Sequence, residues 1–450
     1  MTLTVLTDEN VRRVLHLLDK KDIEDLQQTL ADALHQYSMA GEEDGRCSSY
    51  QPHRTSLKRA DGKTTLFMPA SSNNGLGVKI ITLDTPEEPT VPLNLKRLSL
   101  SSTASSDAKS SRANSISTSS SLEKISRPST ATSIITTPRG SVTLFDAVGN
   151  PSAMINCEEL TAFRTALAST MLMKKRKSVH DITVFGAGKQ AYWHVRLAML
   201  LRGTDIHHLN VVNRSFDRAR QLLMSIYNPF PNDPEFDNLI GHKYNTKTKT
   251  SILTPGHGEY GRLMKKYVRD ANVIFCCTPS TQPLFPASYL LNPGGRQKAR
   301  YIALIGSYKP HMLELHPDVL RSAVAPHHEH RHYHKHQKEG GAVIVDSVEA
   351  CLQEAGEVIQ AGLQPDQVVE LGELVMLRKE AAKQAKEMGQ GSEGDEGGIQ
   401  VDNSSGLKEW LFQGNVIYKS VGLGLMDVVI GAELVRLAKE LDIGTFVENF

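Results

Sequence analysis

The segment "DITVFGAGKQAYWHVRLAML" contains a glycine motif whose spacing suits dinucleotide binding. Gly186, Gly188 and Ala191 form the pattern Gly-x-Gly-x-x-Ala directly after an apolar, β-prone run and at the start of a helix. In such a turn the first glycine permits a tight bend, the second lets the backbone approach a pyrophosphate, and the small third residue lets helix pack on strand. The free N–H groups at the helix N-terminus attract phosphate oxygens. The motif therefore predicts a dinucleotide-binding site.

The next strand along the chain ends in Asn213, Arg214 and Ser215, at the place where such a fold contacts the adenosine ribose. A carboxylate there would accept a hydrogen bond from a free 2′-hydroxyl and would repel a 2′-phosphate. The sequence instead offers a guanidinium that can pair with a phosphate and a hydroxyl that can donate to it. We therefore predict NADP(H) as the cofactor, with NAD(H) less favoured. The alternative is an exposed Arg214 held by the nearby Asp217.

A guanidinium is predicted on the most apolar face of one helix. In "LTAFRTALASTMLM", helical spacing places Leu160 and Leu167 within about 60° of Arg164. A buried charge without a partner is too costly to keep, so a protein carboxylate or an anionic ligand must pair with it. Arg54 in "QPHRTSLK" and Lys79 in "GLGVKIIT" are further bases in or beside strand-like runs. No acid stands at a matching spacing, and these three cations therefore favour a substrate that carries a carboxylate.

A second turn of chemical interest lies in "RYIALIGSYKPHMLEL". Its apolar run stops at Gly306 and exposes Ser307, Tyr308 and Lys309 before the apolar pattern resumes. In a doubly wound sheet the carboxyl ends of the strands face the ligand crevice, so this turn is expected at the active site. Tyr308 could donate a hydrogen bond or stack on a substrate ring. It is a poor base near neutral pH, because a phenol has a pKa of about 10.

The pattern of elements around these residues predicts the fold. From Asp181 onward, apolar strands ("DITVFG", "HLNVVN", "ANVIFCCTP", "YIALIGS" and "AVIVDS") alternate with helices. Such alternation predicts a parallel, doubly wound sheet of the Rossmann type, with helices on both faces. Upstream, the sequence predicts an amphipathic helix from Asp8 to about Tyr37, strands in "KTTLFMPA" and "LGVKIITL", and two strands joined by a turn at Gly149 and Asn150.

Four segments have the composition of insertions. Residues 99–140 are dominated by Ser and Thr and cannot bury enough apolar surface to become ordered. Residues 228–250, 326–338 and 384–406 are interpreted as surface loops, the last of them disordered. The second of these three is rich in His, and clustered imidazoles can bind metal. No rigid strand or helix flanks it to fix a geometry, so we predict no metal site.

Charge and hydropathy limit the kinds of partner that this protein can have. The 51 basic and 50 acidic residues leave a formal net charge of +1, so no global field favours nucleic acid or an anionic membrane surface. No run approaches the roughly 18 consecutive apolar residues of a spanning helix, and the N-terminus lacks the pattern of a secretory signal. We therefore expect a cytoplasmic protein that acts on small molecules.

Several segments match a known family in their order along the chain. They are "HRTSL", "LFMPA", "LGVKII", "LTAFRTALAS", "VFGAGKQA", "CCTPSTQPLF", "IGSYKPHMLEL", "VIVDSVEACLQEAGE" and "YKSVGLGLMDVVIGAEL". Through them the sequence resembles the ornithine cyclodeaminase and mu-crystallin family. The resemblance implies a Rossmann domain beside a second α+β domain, through which subunits form a homodimer. It assigns residues 1–98, 141–177 and 407–450 to the substrate and dimerisation domain, and residues 178–383 to the Rossmann domain.

The resemblance also implies roles for single residues. At the positions of Arg54, Lys79 and Arg164 the family binds the carboxylate of an amino or imino acid, and Val421 lies at the substrate. The positions that line the cofactor are Lys189, Gln190, Asn213, Thr278, Ile305 and Ser420. An anionic ligand thereby becomes the favoured partner of Arg164.

One residue departs from the family pattern. Ornithine cyclodeaminases carry an aspartate, their proton donor and acceptor, where this chain has Tyr308. Without that base, cyclodeamination would lose about 10²- to 10⁴-fold in rate. Reduction of a preformed cyclic imine needs less, because the iminium is already protonated and its carboxylate is held by basic residues.

The combined features predict the reaction. Mu-crystallins resemble this sequence in two respects: they lack the aspartate, and the end of the strand that contacts the ribose favours NADP(H). They reduce cyclic ketimines. We predict an NADPH-dependent reductase of small cyclic imino acids, such as pyrroline-2-carboxylate or piperideine-2-carboxylate, with Lys79 tuning the iminium and Tyr308 contacting the ring. The alternatives are an ornithine cyclodeaminase, or another amino-acid dehydrogenase of the family, that uses a different base, and a non-catalytic NADPH-binding protein.

Overall fold

The computed structural model describes residues 2–39, 51–52, 54–60, 63–72, 75–84, 138–240, 247–292, 298–325, 342–375 and 402–450. Within these ranges the strands form two sheets, one with seven strands and one with eight. The eight-stranded sheet is parallel throughout, whereas the seven-stranded sheet is antiparallel except for one pair. The predicted α/β class, with a doubly wound parallel sheet and a second α+β unit, is confirmed.

The seven-stranded sheet is built from both ends of the chain. Its strands are β1 (Thr2–Leu6), β2 (Thr55–Lys58), β3 (Lys63–Ser72), β4 (Gly75–Asp84), β5 (Arg139–Phe145), β6 (Pro151–Asn156) and β15 (Thr445–Glu448). They lie in the order β15-β1-β6-β5-β4-β3-β2. Along β4 the burial alternates, so that Lys79 and Ile81 face inward while Leu76 and Ile80 face outward.

The eight-stranded sheet holds the middle of the chain. Its strands are β7 (Asp181–Phe185), β8 (His208–Val212), β9 (Lys249–Leu253), β10 (Val273–Cys276), β11 (Tyr301–Leu304), β12 (Val343–Val345), β13 (Val368–Glu370) and β14 (Val416–Lys419). They lie in the order β13-β12-β14-β11-β10-β7-β8-β9. Strands β10, β11, β12 and β14 are buried at every residue, as expected for a parallel sheet covered on both faces.

Helices cover both sheets. Those of the described residues are α1 (Asp8–Leu17), α2 (Lys20–Met39), α3 (Cys157–Met173), α4 (Lys189–Arg202), α5 (Phe216–Tyr227), α6 (Pro234–Ile240), α7 (Tyr260–Asp270), α8 (Ser288–Leu291), α9 (Pro317–Val324), α10 (Val348–Glu354), α11 (Gly356–Ala361), α12 (Asp402–Gln413) and α13 (Gly424–Glu440). Helix α13 packs on β3, β4, α2 and α3, and α3 packs in turn on α4. The almost wholly buried α3 therefore lies between the two sheet systems. No helix within the described ranges has the length and apolarity needed to cross a bilayer.

The single N-terminal helix predicted from Asp8 to about Tyr37 is wrong, because the chain breaks at Leu18. Leu18 is extended, with φ −66° and ψ 134°. Asp19 accepts a hydrogen bond from the N–H of Asp22 at 2.9 Å, and Asp22 accepts one from the N–H of Asp19 at 2.8 Å. This reciprocal cap starts a second helix at the point where the periodicity alone predicted continuity.

Two predicted insertions contain regular structure. Residues 228–250 include α6 and the first residues of β9, and the buried Phe230 and Phe236 pack edge to face at 4.7 Å. Arg12 and Arg13 of α1 lie over these two rings, so the interpretation of this segment as a surface loop is wrong. Residues 402–406 belong to α12 instead of a disordered stretch. Residues 99–137, 241–246, 326–338 and 384–401 lie outside the described residues, and Arg139 and Gly140 belong to β5.

Strand β14 corrects one predicted domain boundary. The sequence assigned residues 407–450 to the second domain, but β14 pairs with β11 and β12 in the middle of the parallel sheet. The chain leaves this sheet only after Lys419 and reaches α13 at Gly424. Residues 420–423 therefore connect the parallel sheet directly to the helix that covers the other sheet.

Candidate active site

The order of the parallel sheet places a ligand crevice beside β7. The chain runs from β7 to β8 on one side, whereas β10 pairs on the other side of β7. Such a reversal opens a crevice at the carboxyl ends of the strands. The glycine motif follows β7 directly, so the topology places it at this crevice.

The glycine turn has the geometry that a dinucleotide requires. Gly186 has φ +105°, and a Cβ on it would lie 2.7 Å from the carbonyl oxygen of Cys277. Gly188 is the N-cap of α4 and makes no side-chain cap, and a Cβ there would meet nothing within 4 Å. Ala191 is buried against the sheet. The turn thus presents free N–H groups beside open space, which fits a pyrophosphate.

The adenosine end of the crevice carries an exposed arginine. Asn213 donates from Nδ2 to the carbonyl oxygen of Ser215 at 2.8 Å, and the Oγ of Ser215 accepts from the N–H of Arg218 and caps α5. Arg214 is exposed and forms no ion pair with any residue that the structure describes, Asp217 included. The guanidinium therefore remains available to an anion.

Lys189 contacts protein carboxylates. Its Nζ lies 2.7 Å from Asp8 Oδ2, 2.8 Å from Glu159 Oε1 and 3.5 Å from Glu158 Oε2. Partial burial lowers the pKa of Lys189, but the carboxylates of Glu159 and Asp8 raise it by more. The net result is a raised pKa. The residue that the resemblance assigned to the cofactor therefore joins the start of α4 to α1 and α3.

The other residues assigned to the cofactor lie at strand ends or on the glycine turn. Gln190 donates from Nε2 to a backbone oxygen of α3 at 3.5 Å. Thr278, Ile305 and Ser420 follow β10, β11 and β14, whose carboxyl ends share one edge of the parallel sheet. The Oγ of Ser420 donates to Asp346 at 2.7 Å. Asp346 also accepts hydrogen bonds from the N–H groups of residues 421 and 422. The sequence analysis did not identify Asp346, although this acid directly follows a buried strand.

Two of the predicted cations share one buried carboxylate. The Nζ of Lys79 donates to Asp427 Oδ1 at 2.7 Å and to Thr161 Oγ1 at 2.8 Å. The Nε of Arg164 lies 3.3 Å from Asp427 Oδ2. Lys79, Arg164 and Asp427 are 1%, 4% and 0% exposed. An anionic ligand was the favoured partner of Arg164, and the structure shows the alternative, a protein carboxylate, because α13 brings Asp427 to both bases from a distant part of the sequence.

The charges of this cluster do not cancel. Two cations face one carboxylate, which leaves one positive charge in excess. Burial lowers the pKa of Lys79, and Arg164 lowers it further, while Asp427 acts against both. An acid inside the otherwise apolar run "GLGLMDVVIGA" was the signal that could have identified Asp427.

Arg164 also lies against the segment that connects the two sheets. A Cβ on Gly422 would lie 2.8 Å from a terminal nitrogen of Arg164, and Gly422 has φ +88°. Glycine is therefore required there on both steric and conformational grounds. Val421, which the resemblance places at the substrate, is the residue before it. Arg164 and Val421 are thus brought to the same place.

Arg54 lies near this cluster and has its own partner. Its Nε donates to Glu354 Oε1 at 2.6 Å, and the two side chains form an ion pair. Burial lowers the pKa of Arg54, Asp346 opposes the shift, and Arg164 adds to it. Arg164 is therefore close enough to Arg54 to influence its charge, while the direct partner of Arg54 is Glu354.

The turn after β11 also lies at the crevice, as predicted. Ile305 donates its N–H to the carbonyl oxygen of Cys276, so this turn starts beside the end of β10. Ser307 is buried and Tyr308 is half-buried against the main core. No carboxylate occupies position 308.

Comparisons with known proteins define the class. No family model matches the chain. An uncharacterized protein of Saccharomyces cerevisiae is 28% identical over 308 residues, covering 63% of this chain and 70% of that protein. A delta(1)-pyrroline-2-carboxylate reductase of Bacillus cereus is 23% identical over 320 residues, covering 69% and 75%. The ketimine reductase mu-crystallin of Rattus norvegicus is 25% identical over 246 residues, covering 54% and 61%.

Solved structures share the fold over nearly the whole chain. An archaeal alanine dehydrogenase dimer with bound NAD superposes with a TM-score of 0.59 at 16% identity, covering 100% of both chains. The Thermococcus litoralis delta(1)-pyrroline-2-carboxylate reductase, in complex with NADH and L-proline, has a TM-score of 0.59 at 17% identity, covering 98% and 99%. A probable ornithine cyclodeaminase of Bordetella pertussis has a TM-score of 0.54 at 19% identity, covering 98% and 99%.

The fold and the relatives therefore point to one class of enzymes. The architecture is that of the ornithine cyclodeaminase and mu-crystallin fold. The curated relatives include pyrroline-2-carboxylate reductases, mu-crystallins and an uncharacterized cyclodeaminase, and the chain is similar in sequence to each of them.

Proposed function

We propose that this protein is an NADPH-dependent reductase of small cyclic imino acids, such as pyrroline-2-carboxylate or piperideine-2-carboxylate. The observation that carries the proposal is the excess positive charge of the buried Lys79, Arg164 and Asp427 cluster. A buried excess charge is stabilised by an anionic ligand, and the substrate carboxylate supplies that charge. The names of the curated relatives support the same substrate class.

The chain's own residues would hold the substrate from two different elements. Lys79 comes from β4 and Arg164 from α3, and Arg164 lies beside the segment that contains Val421. Arg54 adds a third positive charge whose partner is Glu354. A substrate whose carboxylate is fixed between such groups loses most of its freedom of orientation. This favours hydride transfer to the adjacent ring carbon.

The cofactor would lie along the carboxyl edge of the parallel sheet. The Gly186 turn and the start of α4 would bind the pyrophosphate, and Arg214 would bind a 2′-phosphate. Thr278, Ile305 and Ser420 would line the nicotinamide half. When bound, the nicotinamide supplies the hydride, while the protein positions the imine, excludes water and keeps the substrate carboxylate paired.

The proton requirement distinguishes reduction from deamination. A cyclic iminium needs no base in order to accept hydride. Burial lowers the pKa of Lys79, but its hydrogen bond to Asp427 opposes that shift and would help to keep positive charge next to the substrate carboxylate. Tyr308 would contact the ring from the turn after β11 as a hydrogen-bond donor or a stacking surface.

A second candidate is an ornithine cyclodeaminase or an amino-acid dehydrogenase. Glu354 favours it, because this carboxylate lies beside Arg54, one of the three cations assigned to the substrate, and could act as a base in place of the residue at position 308. A third candidate is a protein that binds NADPH without turnover.

One set of assays separates the candidates. Purified protein receives NADPH with each cyclic imine, and in parallel NAD⁺ with ornithine, while reduced-cofactor absorbance and ammonia release are measured. We expect NADPH oxidation that depends on the imine. Formation of proline and ammonia from ornithine would contradict the reductase and support the cyclodeaminase. Cofactor binding without turnover of any substrate would support the third candidate.

We also propose a homodimer formed by the outer face of the seven-stranded sheet. Leu57, Leu76, Ile80 and Met154 are exposed large apolar residues on this face, which their register places opposite to the face that carries Lys79. A patch of this kind on a sheet face is typical of a subunit interface. The dimeric alanine dehydrogenase of the same fold supports this assembly. A cytoplasmic location stays a prediction from the sequence.

A further inference from the structure

The turns that follow β10 and β11 lie in direct contact at the crevice. A Cβ on Gly306 would lie 2.2 Å from the carbonyl oxygen of Thr278, so only glycine permits this approach. The contact continues along the chain, where Leu313 donates its N–H to the carbonyl oxygen of Ser280 at 2.8 Å. The two turns therefore form one structural unit.

One buried acid joins these turns. Glu314 Oε1 accepts from the N–H of Thr278 at 2.7 Å. Glu314 Oε2 accepts from the N–H of Gly306 at 2.6 Å and from the N–H of Ser307 at 3.2 Å. The Glu314 side chain is fully buried. A single carboxyl group thus pairs N–H groups of both turns, with one oxygen devoted to each turn.

A second acid, Glu357, and a lysine, Lys419, also hydrogen-bond to the turn after β11. Glu357 Oε1 accepts from the N–H of Glu314 at 2.7 Å and from Ser307 Oγ at 2.5 Å. The Nζ of Lys419 donates to the backbone and hydroxyl oxygens of Ser307 and lies 3.5 Å from Glu357 Oε2. All four side chains are fully buried. Ser307 is therefore fixed on three sides, immediately before Tyr308.

Stability alone does not account for such a network. Apolar residues of similar volume usually stabilise a core as well as buried ionic groups do, or better. The hydrogen bonds of Glu314 and Glu357 are concentrated on the two turns that line the crevice.

We propose that Glu314 is a positioning residue for hydride transfer. By holding the N–H groups of Thr278, Gly306 and Ser307, it fixes the cofactor-side turn after β10 relative to the turn that presents Tyr308. This inference rests on the proposed reductase function. Reacting atoms must approach to about 3–3.5 Å, and a misplacement of about 1 Å can reduce the rate about 10²-fold.

The variant Glu314→Gln tests this role with little change in volume. It replaces one acceptor oxygen by an amide donor, so the side chain can no longer accept from both turns. We expect kcat for imine reduction to fall about 10²-fold, with little change in the dissociation constant of NADPH, measured from the fluorescence of the bound cofactor, or in KM for the imine.

Asp233→Asn is the matched control. The Asp233 carboxylate also accepts a backbone N–H, that of Phe236 at 3.1 Å, and pairs with Arg13. It lies between α5 and α6, on the path that returns to the start of β9, away from the carboxyl edge of the sheet. We expect this variant to keep kcat.

Amide hydrogen exchange supplies a readout that does not depend on turnover. In Glu314→Gln we expect faster exchange at Thr278, Gly306 and Ser307, whereas Asp233→Asn should leave these amides unchanged. Unchanged kcat or unchanged exchange in Glu314→Gln would overturn the proposal. So would a fall in kcat matched by an equal loss of NADPH affinity, which indicates general destabilisation. Absence of imine turnover in the unaltered protein would instead contradict the reductase function, and the exchange measurement would still decide whether Glu314 holds the two turns.

Discussion

The carboxylate of Asp427 lies 2.7 Å from the Nζ of Lys79, and neither side chain is accessible to solvent. The two residues are 348 positions apart in the chain. Lys79 lies in the middle of β4, and Asp427 lies in the first turn of α13, which packs on that strand. The same carboxylate faces Arg164 on α3, so one acid fixes bases from two different elements.

Removing this acid should be strongly destabilising. In Asp427→Asn the two buried cations would face each other without a counter-charge, so we expect the free energy of unfolding to fall by about 3–5 kcal/mol. Urea unfolding measures this change. Glu433→Gln on the same helix is the control, because Glu433 pairs with the exposed Arg436 and should contribute less than about 1 kcal/mol. Similar losses in both variants would contradict a central role for Asp427.

The cofactor preference should depend on Arg214. In Arg214→Asp a carboxylate would repel a 2′-phosphate and could accept from a 2′-hydroxyl. We expect KM for NADPH to rise about 10- to 100-fold, as for the loss of one or two charged hydrogen bonds, and KM for NADH to stay similar or fall. Steady-state kinetics with both cofactors measures the ratio. Arg218→Asp, one turn into α5, is the control, and an unchanged preference in Arg214→Asp would contradict the assignment of this site.

The free energy of unfolding should fall as pH rises, because of Glu314. Burial raises the pKa of Glu314 to about 8, with Glu357 adding to the shift and Lys419 opposing it. In the unfolded chain this acid loses its proton near its ordinary pKa of 4.5, whereas in the folded protein it keeps the proton up to a pKa of about 8. The unfolded state therefore binds fewer protons between these values, and its release of the proton lowers the free energy of unfolding as pH rises.

Urea unfolding at several values between pH 5 and pH 8 measures this dependence, using the range set by the two pKa values. One such group contributes a slope of at most about 1.4 kcal/mol per pH unit. Glu314→Gln has no proton to lose and should remove this contribution. An equal slope in the variant and the unaltered protein would show that Glu314 does not titrate in this window.

The outer face of the seven-stranded sheet should determine oligomeric state. Ile80→Glu together with Met154→Glu places charges in the proposed apolar interface, where they would be desolvated without partners. We expect a shift from dimer to monomer in light scattering coupled to size-exclusion chromatography. Phe216→Glu, which alters an exposed aromatic residue on α5, should leave the dimer intact. A monomer before any substitution would contradict the assembly.

Local patterns were sufficient to predict the parallel sheet and the glycine turn. Both follow from short-range features: the alternation of buried strands with helices, and three small residues at fixed spacing after a strand. The break between α1 and α2 was missed because a reciprocal aspartate cap interrupts the helix without disturbing its apolar periodicity. The place of β14 was missed because the order of strands in a sheet depends on long-range pairing.

The same distinction applies to the site. Helical spacing predicted that Arg164 is buried, and the structure agrees. The partner of Arg164 could not be predicted, because Asp427 reaches it only through the packing of α13. The resemblance assigned Lys189 to the cofactor. In the structure its side chain contacts carboxylates of neighbouring helices, which the sequence did not predict.

The late position of β14, α13 and β15 in the sequence has a consequence for biosynthesis. These three elements form the middle of the parallel sheet, the helix over β3 and β4, and one edge of the seven-stranded sheet, and the ribosome makes them after the other described sheet strands. Until then β11 and β12 lack the strand that lies between them, and Lys79 and Arg164 lack their counter-ion. A product shortened before β14 would therefore lose a central strand of the parallel sheet together with Asp427, the counter-ion of Lys79 and Arg164.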